Sequence, residues 1–273
     1  MDWQLVLVGG GIGFVIGLTG MGGGALLTPV LVLVFGVEPL AAVSSDLVAS
    51  LVMKPVGAAV HWRRRTVEPR LVGLLCLGSV PAAFGSAFYS RHANQAFIRT
   101  ALGIALLLAV FAVLARGILD RRRPEPGLAL RPIATVLVGV VGGVVVGLTS
   151  VGSGSLIIVA LSLFYPGLSA ARLVGTDLLQ AIPLVGAAAL GHLLFGDVRF
   201  DLTASILVGA LPAVFLGARL SSTARFGFIK PVLLVVLTAS GLALLRMPTL
   251  VVLGVLAALP VWLVGRRAHL REG

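Results

Sequence analysis

Charge is what this chain has least of. Only 11% of its 273 residues are Asp, Glu, Lys or Arg, where a soluble domain carries roughly a quarter. Hydrophobic residues make up 58% and the mean hydropathy is +1.10. A soluble globular fold is thereby excluded, and a bilayer is the expected solvent. Cysteine is nearly absent: Cys76 stands alone, which excludes an internal disulfide and a cysteine-based metal site. Histidine is scarce too. Its four copies, His61, His92, His192 and His269, include no pair three or four residues apart, so neither a metal site nor a cofactor is implied. The opening Met1-Asp2-Trp3-Gln4 lacks a basic residue, so the apolar run 5–19 is not read as a signal peptide. Ten acidic residues face 21 basic ones, a net charge of +11. That excess lies in loops between apolar runs, where Lys and Arg set the orientation of a membrane protein. Nucleic acid is not an expected partner.

What the chain has in abundance is apolar length. Runs cover about 4–19, 25–36, 40–61, 70–89, 94–115, 133–149, 155–165, 169–194, 202–220, 226–245 and 249–265. Most reach the roughly 18 to 20 residues a spanning helix needs. The exceptions are 4–19 with 25–36, and 133–149 with 155–165. Each pair flanks a glycine-rich break and reads as one broken unit of short helices, a hairpin or a tilted pair.

The two breaks are copies. Gly9, Gly13 and Gly17 lead into Leu18-Thr19-Gly20-Met21-Gly22-Gly23-Gly24, and Gly139, Gly143 and Gly147 lead into Leu148-Thr149-Ser150-Val151-Gly152-Ser153-Gly154. Farther on, Ser45-Asp46 answers Thr176-Asp177, His61 answers His192, and Gly78, Pro81 and Ala82 answer Gly209, Pro212 and Ala213. The expected architecture is an all-α polytopic membrane protein built from two homologous repeats, 1–120 and 132–246. A basic linker (121–131) joins them, and a C-terminal helix with a basic tail (247–273) follows. An internal duplication in so apolar a chain points to a transporter whose site lies between related halves.

Loop charges choose between parallel and inverted repeats. With the Arg63–Arg70 loop and the linker inside, an inverted second repeat leaves 16 basic residues inside and four outside, Lys54 lying within the membrane. A parallel repeat gives 11 and nine. The positive-inside rule selects inversion, with the N-terminus outside, the C-terminus inside and seven or eleven crossings.

Several residues within these segments could carry chemistry. A glycine run can end one helix and start another, freeing N–H groups that protein, water or ligand must satisfy. The start of the following half-helix is then a ready anion site. The second break replaces glycines with Ser150, Ser153 and Ser155 and so adds hydroxyls. Gly9, Gly13, Gly17 and their counterparts are read instead as close-packing positions, and Gly78–Pro81 and Gly209–Pro212 as kinks. Asp46 and Asp177 are the carboxylates placed well within apolar runs, where ionisable groups are costly and functional by default. A first-turn role at a helix dipole is the competing reading. Lys54 has no counterpart, Val185 standing in its place. It is either a cation facing an anion cavity or a lysine snorkelling to the surface. His61 and His192 end their helices, as proton shuttles or as interfacial anchors.

The Gly-Leu-Thr-Gly-Met-Gly-Gly-Gly run before Pro29 resembles the TauE/SafE family of sulfite and organosulfonate exporters. So do Gly57-Ala58 with His61, Arg64 and Val67, and Gly78, Pro81 and Gly85. The resemblance spans nearly the whole chain. It implies a membrane transporter for sulfur-containing or carboxylated anions, and about eight helices where the charge count requires an odd number. Candidate substrate-binding residues are Thr19, Gly20, Met21, Gly22, Gly23, Gly24, Ser44, Ser45 and Lys54, with Thr149, Ser150, Gly152, Ser153, Gly154, Ser155, Thr176 and Gln180. Asp46, Asp177, His61 and His192 are the candidate proton-coupling groups. The expected partners are a small anion and the lipid of the cytoplasmic membrane, with a homo-oligomer open. The alternatives are a passive anion channel and an intramembrane lipid-pyrophosphate phosphatase. The second needs clustered acids and arginines that the apolar runs lack.

Overall fold

The computed structural model describes residues 2–19, 23–119, 130–221, 229–255 and 257. Regular structure among them is helical: α1 Trp3–Thr19, α2 Leu27–Leu33, α3 Pro39–Arg63, α4 Pro69–Ser90 and α5 Gln95–Leu119, then α6 Pro132–Thr149, α7 Leu156–Phe164, α8 Ala170–Phe195, α9 Phe200–Ser221 and α10 Ile229–Leu244. Residues 249–255 are helical as well. Pro39, Pro69 and Pro132 open their helices, where the missing N–H has no intrahelical partner to lose. The Ser169 hydroxyl caps α8 by accepting from the Arg172 N–H at 3.3 Å. Among the described residues, six helices, α3, α4, α5, α6, α8 and α9, are long and apolar enough to cross a bilayer. This is an all-α polytopic membrane fold. Most of the linker (120–129) and the tail from 258 lie outside the described residues.

The broken pairs are less even than their apolar lengths imply. The first limbs, α1 with 17 residues and α6 with 18, approach or reach spanning length. The second limbs, α2 with seven residues and α7 with nine, rise only about 10 to 14 Å. Each pair closes as a hairpin whose outer ends meet. Asp2 and Leu5 before and at the start of α1 line one cavity with Phe35 and Val37, just past α2. At the other pair, the Tyr165 hydroxyl after α7 accepts from the Arg131 N–H at 3.0 Å and lies 2.5 Å from the Thr135 hydroxyl.

Helix packing interleaves the two halves. Gly9 and Gly13 of α1 lie on Ile206 and Ala210 of α9, where an added methyl would come 2.6 and 2.7 Å from a backbone carbonyl. Gly139 and Gly143 of α6 lie in the same way on the Leu75 and Ser79 carbonyls of α4. These stripes are packing surfaces, as read from their spacing, and both pairs run parallel. Equivalent helices meet in the opposite sense. Ser44 reaches His192 while Leu51 lies by Gly186, so α3 and α8 are antiparallel. Arg99 reaches the Leu244 carbonyl while Leu107 lies on Gly241, so α5 and α10 are antiparallel too.

Buried Leu47, Leu75, Ile157, Leu161 and Leu184 form the central core. Leu102, Leu106 and Leu237 join α5 to α10, and Leu31, Ala49 and Ile206 close the side of α1 and α9. Trp3, Leu7, Phe111, Ile133 and Leu137 point outward at 58–78% exposure for a lipid-facing surface. The apolar residues are thus sorted by packing between helices, since lipid is as apolar as the core.

Candidate functional site

The described part of the first break lies against the second. In the second, Ser150 caps α6 in the left-handed region (φ 59°), and Gly152 and Gly154 take φ of 122° and 94°. Glycine enters those conformations without steric penalty, which is why the chain can leave one helix and start α7 within six residues. Thr149 repairs part of the break: its hydroxyl accepts from the Val151 N–H at 3.2 Å and donates to the Val145 carbonyl at 2.6 Å. In the first break, Gly23–Ala25 form one buried 3-10 turn. Gly20, Met21, Gly22 and the side chain of Thr19 lie outside the described residues. A methyl on Gly24 would fall on the Ser150 carbonyl, and one on Gly23 would come 3.2 Å from an Asp46 oxygen. Backbone of one break therefore lies directly on backbone of the other.

Around this crossing sits a buried polar cluster. Asp46 is wholly buried. Its Oδ2 accepts from Thr28 of α2 at 2.8 Å and from Ser150 at 2.5 Å, and its Oδ1 accepts from Ser50 at 3.4 Å. One turn beyond Ser50, Lys54 is 8% exposed and donates from Nζ to the Ser153 hydroxyl at 2.6 Å. Its ammonium lies within Coulombic range of both Asp46 and Asp177. Gln180 of α8 donates to Asp177 at 3.4 Å and accepts from Ser79 of α4 at 3.3 Å. The Ser155 residue is also buried, at the N-cap of α7.

Three competing readings of the sequence fall to this geometry. Lys54 does not snorkel, because its ammonium is buried and engaged across the break. Asp46 and Asp177 are not first-turn residues: α3 and α8 begin at Pro39 and Ala170, two turns earlier, beyond the reach of the end dipole. His192 is no interfacial anchor. It is fully buried, with Nε2 at 2.7 Å from the Gly147 carbonyl and Nδ1 at 2.7 Å from the Ser44 hydroxyl. A carbonyl only accepts, so Nε2 carries a proton, and the ring ties α3, α6 and α8 together. His61, at the matching position, is half-buried and bonds to nearby Thr66.

Other candidates stand away from the cluster. The Ser45 hydroxyl accepts from the Arg199 N–H at the start of α9 at 3.1 Å. The Thr176 hydroxyl accepts from the Glu68 N–H at the start of α4 at 3.0 Å. These are matching interactions, each tying one half's helix start to the other half. Thr28 and Ser79 were not singled out by sequence. Thr28 could have been noticed as the hydroxyl in an otherwise apolar α2; Ser79 looks like any small residue beside Gly78.

Comparison with known proteins places the chain in a family. A model of the family "Sulfite exporter TauE/SafE" matches residues 5–244. The Bacillus subtilis (strain 168) protein named "Probable membrane transporter protein YjnA" is 38% identical over 256 residues, 90% of this chain and all of that one. A second B. subtilis protein, "Probable membrane transporter protein YdhB", is 25% identical over 237 residues, 86% of this chain and 96% of its own. No solved structure matches the chain with significance. The names carried by the family and these relatives indicate a membrane transporter, not an enzyme. Glycine-broken hairpins, long apolar helices and a match from end to end of the helical body have one meaning: this chain belongs to the TauE/SafE sulfite exporter family.

Proposed function

We propose that this protein is a secondary transporter of small sulfur-containing or carboxylated anions, sulfite or organosulfonates in kind, in the cytoplasmic membrane. The anion is held where the two breaks cross. The observation that carries this reading is the Lys54 ammonium, buried and 2.6 Å from the Ser153 hydroxyl in the opposite break. A buried cation is costly to desolvate, and this one, beside Asp46 and Asp177, is also aimed at a segment rich in hydroxyls and backbone N–H groups. Such a grouping is suited to an anion. The sulfite named in the family's description supports the substrate class. The antiparallel crossings of α3 with α8 and α5 with α10 support two inverted repeats. In that arrangement, rocking one half against the other exposes the same site alternately to each side. The described polar groups at the crossing, among them Asp46, Ser50, Lys54, Ser150 and Ser153, are buried, so substrate must enter by such a movement. Asp46, Asp177, His61 and His192 are the candidate proton-coupling groups of this reading, and of these Asp46 and Asp177 are the two that face Lys54.

The test is counterflow of labelled sulfite in proteoliposomes. A carrier shows saturation and stimulation by sulfite on the far side; a passive channel shows neither. Lys54→Gln should lower uptake at least tenfold while the protein still folds and inserts. Uptake by this variant at the wild-type rate would remove Lys54 from the pathway and the reading with it.

A further inference from the structure

An anion placed beside Lys54 meets a charge problem. Within the core, Lys54 faces two carboxylates, Asp46 and Asp177. With all three ionised the cluster carries one net negative charge, and a bound monoanion would make it two in a medium of low dielectric. One proton taken up per anion restores the balance. Geometry distinguishes the two acids. Asp46 accepts from three hydroxyls on three segments, Thr28 of α2, Ser50 of α3 and Ser150 of the second break. The contacts of Asp177 include an amide donor, Gln180. An amide donor is fixed in sense, whereas a hydroxyl rotates and can either donate or accept.

We propose that Asp46 couples proton to anion by handing over its hydroxyl donors. Ionised, its carboxylate engages the Ser150 O–H and neutralises Lys54. Protonated, Asp46 donates its own O–H to a neighbouring hydroxyl oxygen, and the Ser150 O–H turns toward the break. There it joins the Ser153 hydroxyl and the Lys54 ammonium, which then faces one carboxylate in place of two, as donors to the anion. The proton comes from solution and leaves to solution, with no other bond made or broken. Proton and anion therefore bind together, one for one, and flux follows the product of their two gradients. This inference rests on the reading that the anion binds at the crossing of the breaks.

Among the described side chains, the other ionisable groups on the elements packed against α3 stand elsewhere. His192 of α8 is engaged by Ser44 and Gly147. Arg172 of α8 and Asp201 of α9 are exposed near helix starts, Arg219 of α9 is exposed near its end, and Arg99 of α5 is bonded to the Leu244 carbonyl.

Methanesulfonate, whose charge is constant from pH 5 to 8, is the probe, with affinity and proton uptake measured on the full chain in lipid nanodiscs. Wild-type affinity should fall about tenfold per pH unit above the Asp46 midpoint, the slope for one linked proton. Asp46→Asn should bind with no pH slope and take up no proton, and Asp177→Asn should retain the slope. Thr28→Val removes a donor to the ionised form, so its slope should persist with the midpoint moved upward by about one unit. An unmoved Thr28→Val midpoint would overturn the hand-over even if Asp46→Asn failed to fold. So would a persistent slope in Asp46→Asn, or a wild-type affinity that follows sodium and ignores pH. Those results leave the anion site standing. Absence of methanesulfonate and sulfite binding by the wild type at every pH would instead remove the site, and this inference with it.

Discussion

Adding one methyl group at the crossing of the breaks should separate two halves that otherwise touch. In Gly24→Ala the new Cβ would lie on the Ser150 carbonyl and 2.6 Å from the Ser150 hydroxyl oxygen. Neither obstacle is the free end of a flexible side chain, because Ser150 is the left-handed cap of α6. To reach an ordinary separation of about 3.5 Å, that oxygen must retreat by about 0.9 Å. The same retreat stretches its 2.5 Å bond to Asp46 toward about 3.4 Å, past the useful range of an O–H···O bond. Overpacking of this kind costs about 1–3 kcal/mol, and a hydrogen bond to a charged group contributes about 1.5–3 kcal/mol. The sum of about 2.5–6 kcal/mol corresponds to a loss in affinity of about two to four orders of magnitude if borne by substrate binding. Guanidinium unfolding in detergent would measure the part borne by stability, and methanesulfonate binding the part borne by the site. Gly11→Ala is the control: nothing lies within 4 Å of its added methyl, and alanine should gain about 1 kcal/mol in that helix. If Gly24→Ala matched Gly11→Ala in both assays, the two breaks would not be in contact and the site would be misplaced.

Two further outcomes test the frame around that crossing. With Cys76 replaced, Arg64→Cys and Val198→Cys should react with an impermeant thiol reagent from opposite sides of the membrane; labelling from one side would refute inversion of the repeats. His192→Leu leaves the Gly147 carbonyl and Ser44 hydroxyl without their ring partner and should destabilise the fold by about 2–4 kcal/mol. His61→Leu should cost under about 1 kcal/mol, and equal losses in denaturant unfolding would refute the difference drawn between the two rings.

The sequence by itself determined the class of solvent, the helical runs, the duplication and the two breaks. These are local or compositional signals. Eleven percent charge cannot cover a soluble surface, a run of about 20 apolar residues is its own helix signal, and clustered glycines end a helix wherever they stand. The close-packing role of Gly9, Gly13 and Gly143 was legible for the same reason, since their spacing places them on one helix face. Only the tertiary structure decided what the polar residues do. Lys54 belongs to α3 and Ser153 to the break after α6, 99 positions later, and no local pattern relates them. The surface or core placement of Lys54 depended on which helices cover it. Ser45 and Thr176 looked like site hydroxyls and are found holding N–H groups at the starts of helices in the opposite half. Sequence also treated His61 and His192 as equivalents. The fold separates them, because Ser44 stands opposite His192 while the position that the duplication pairs with Ser44 is Gly175, which lies on Thr66. A polar side chain in a membrane protein is defined by the partner that satisfies it. That partner comes from another helix, so its identity is written in the packing and not along the chain.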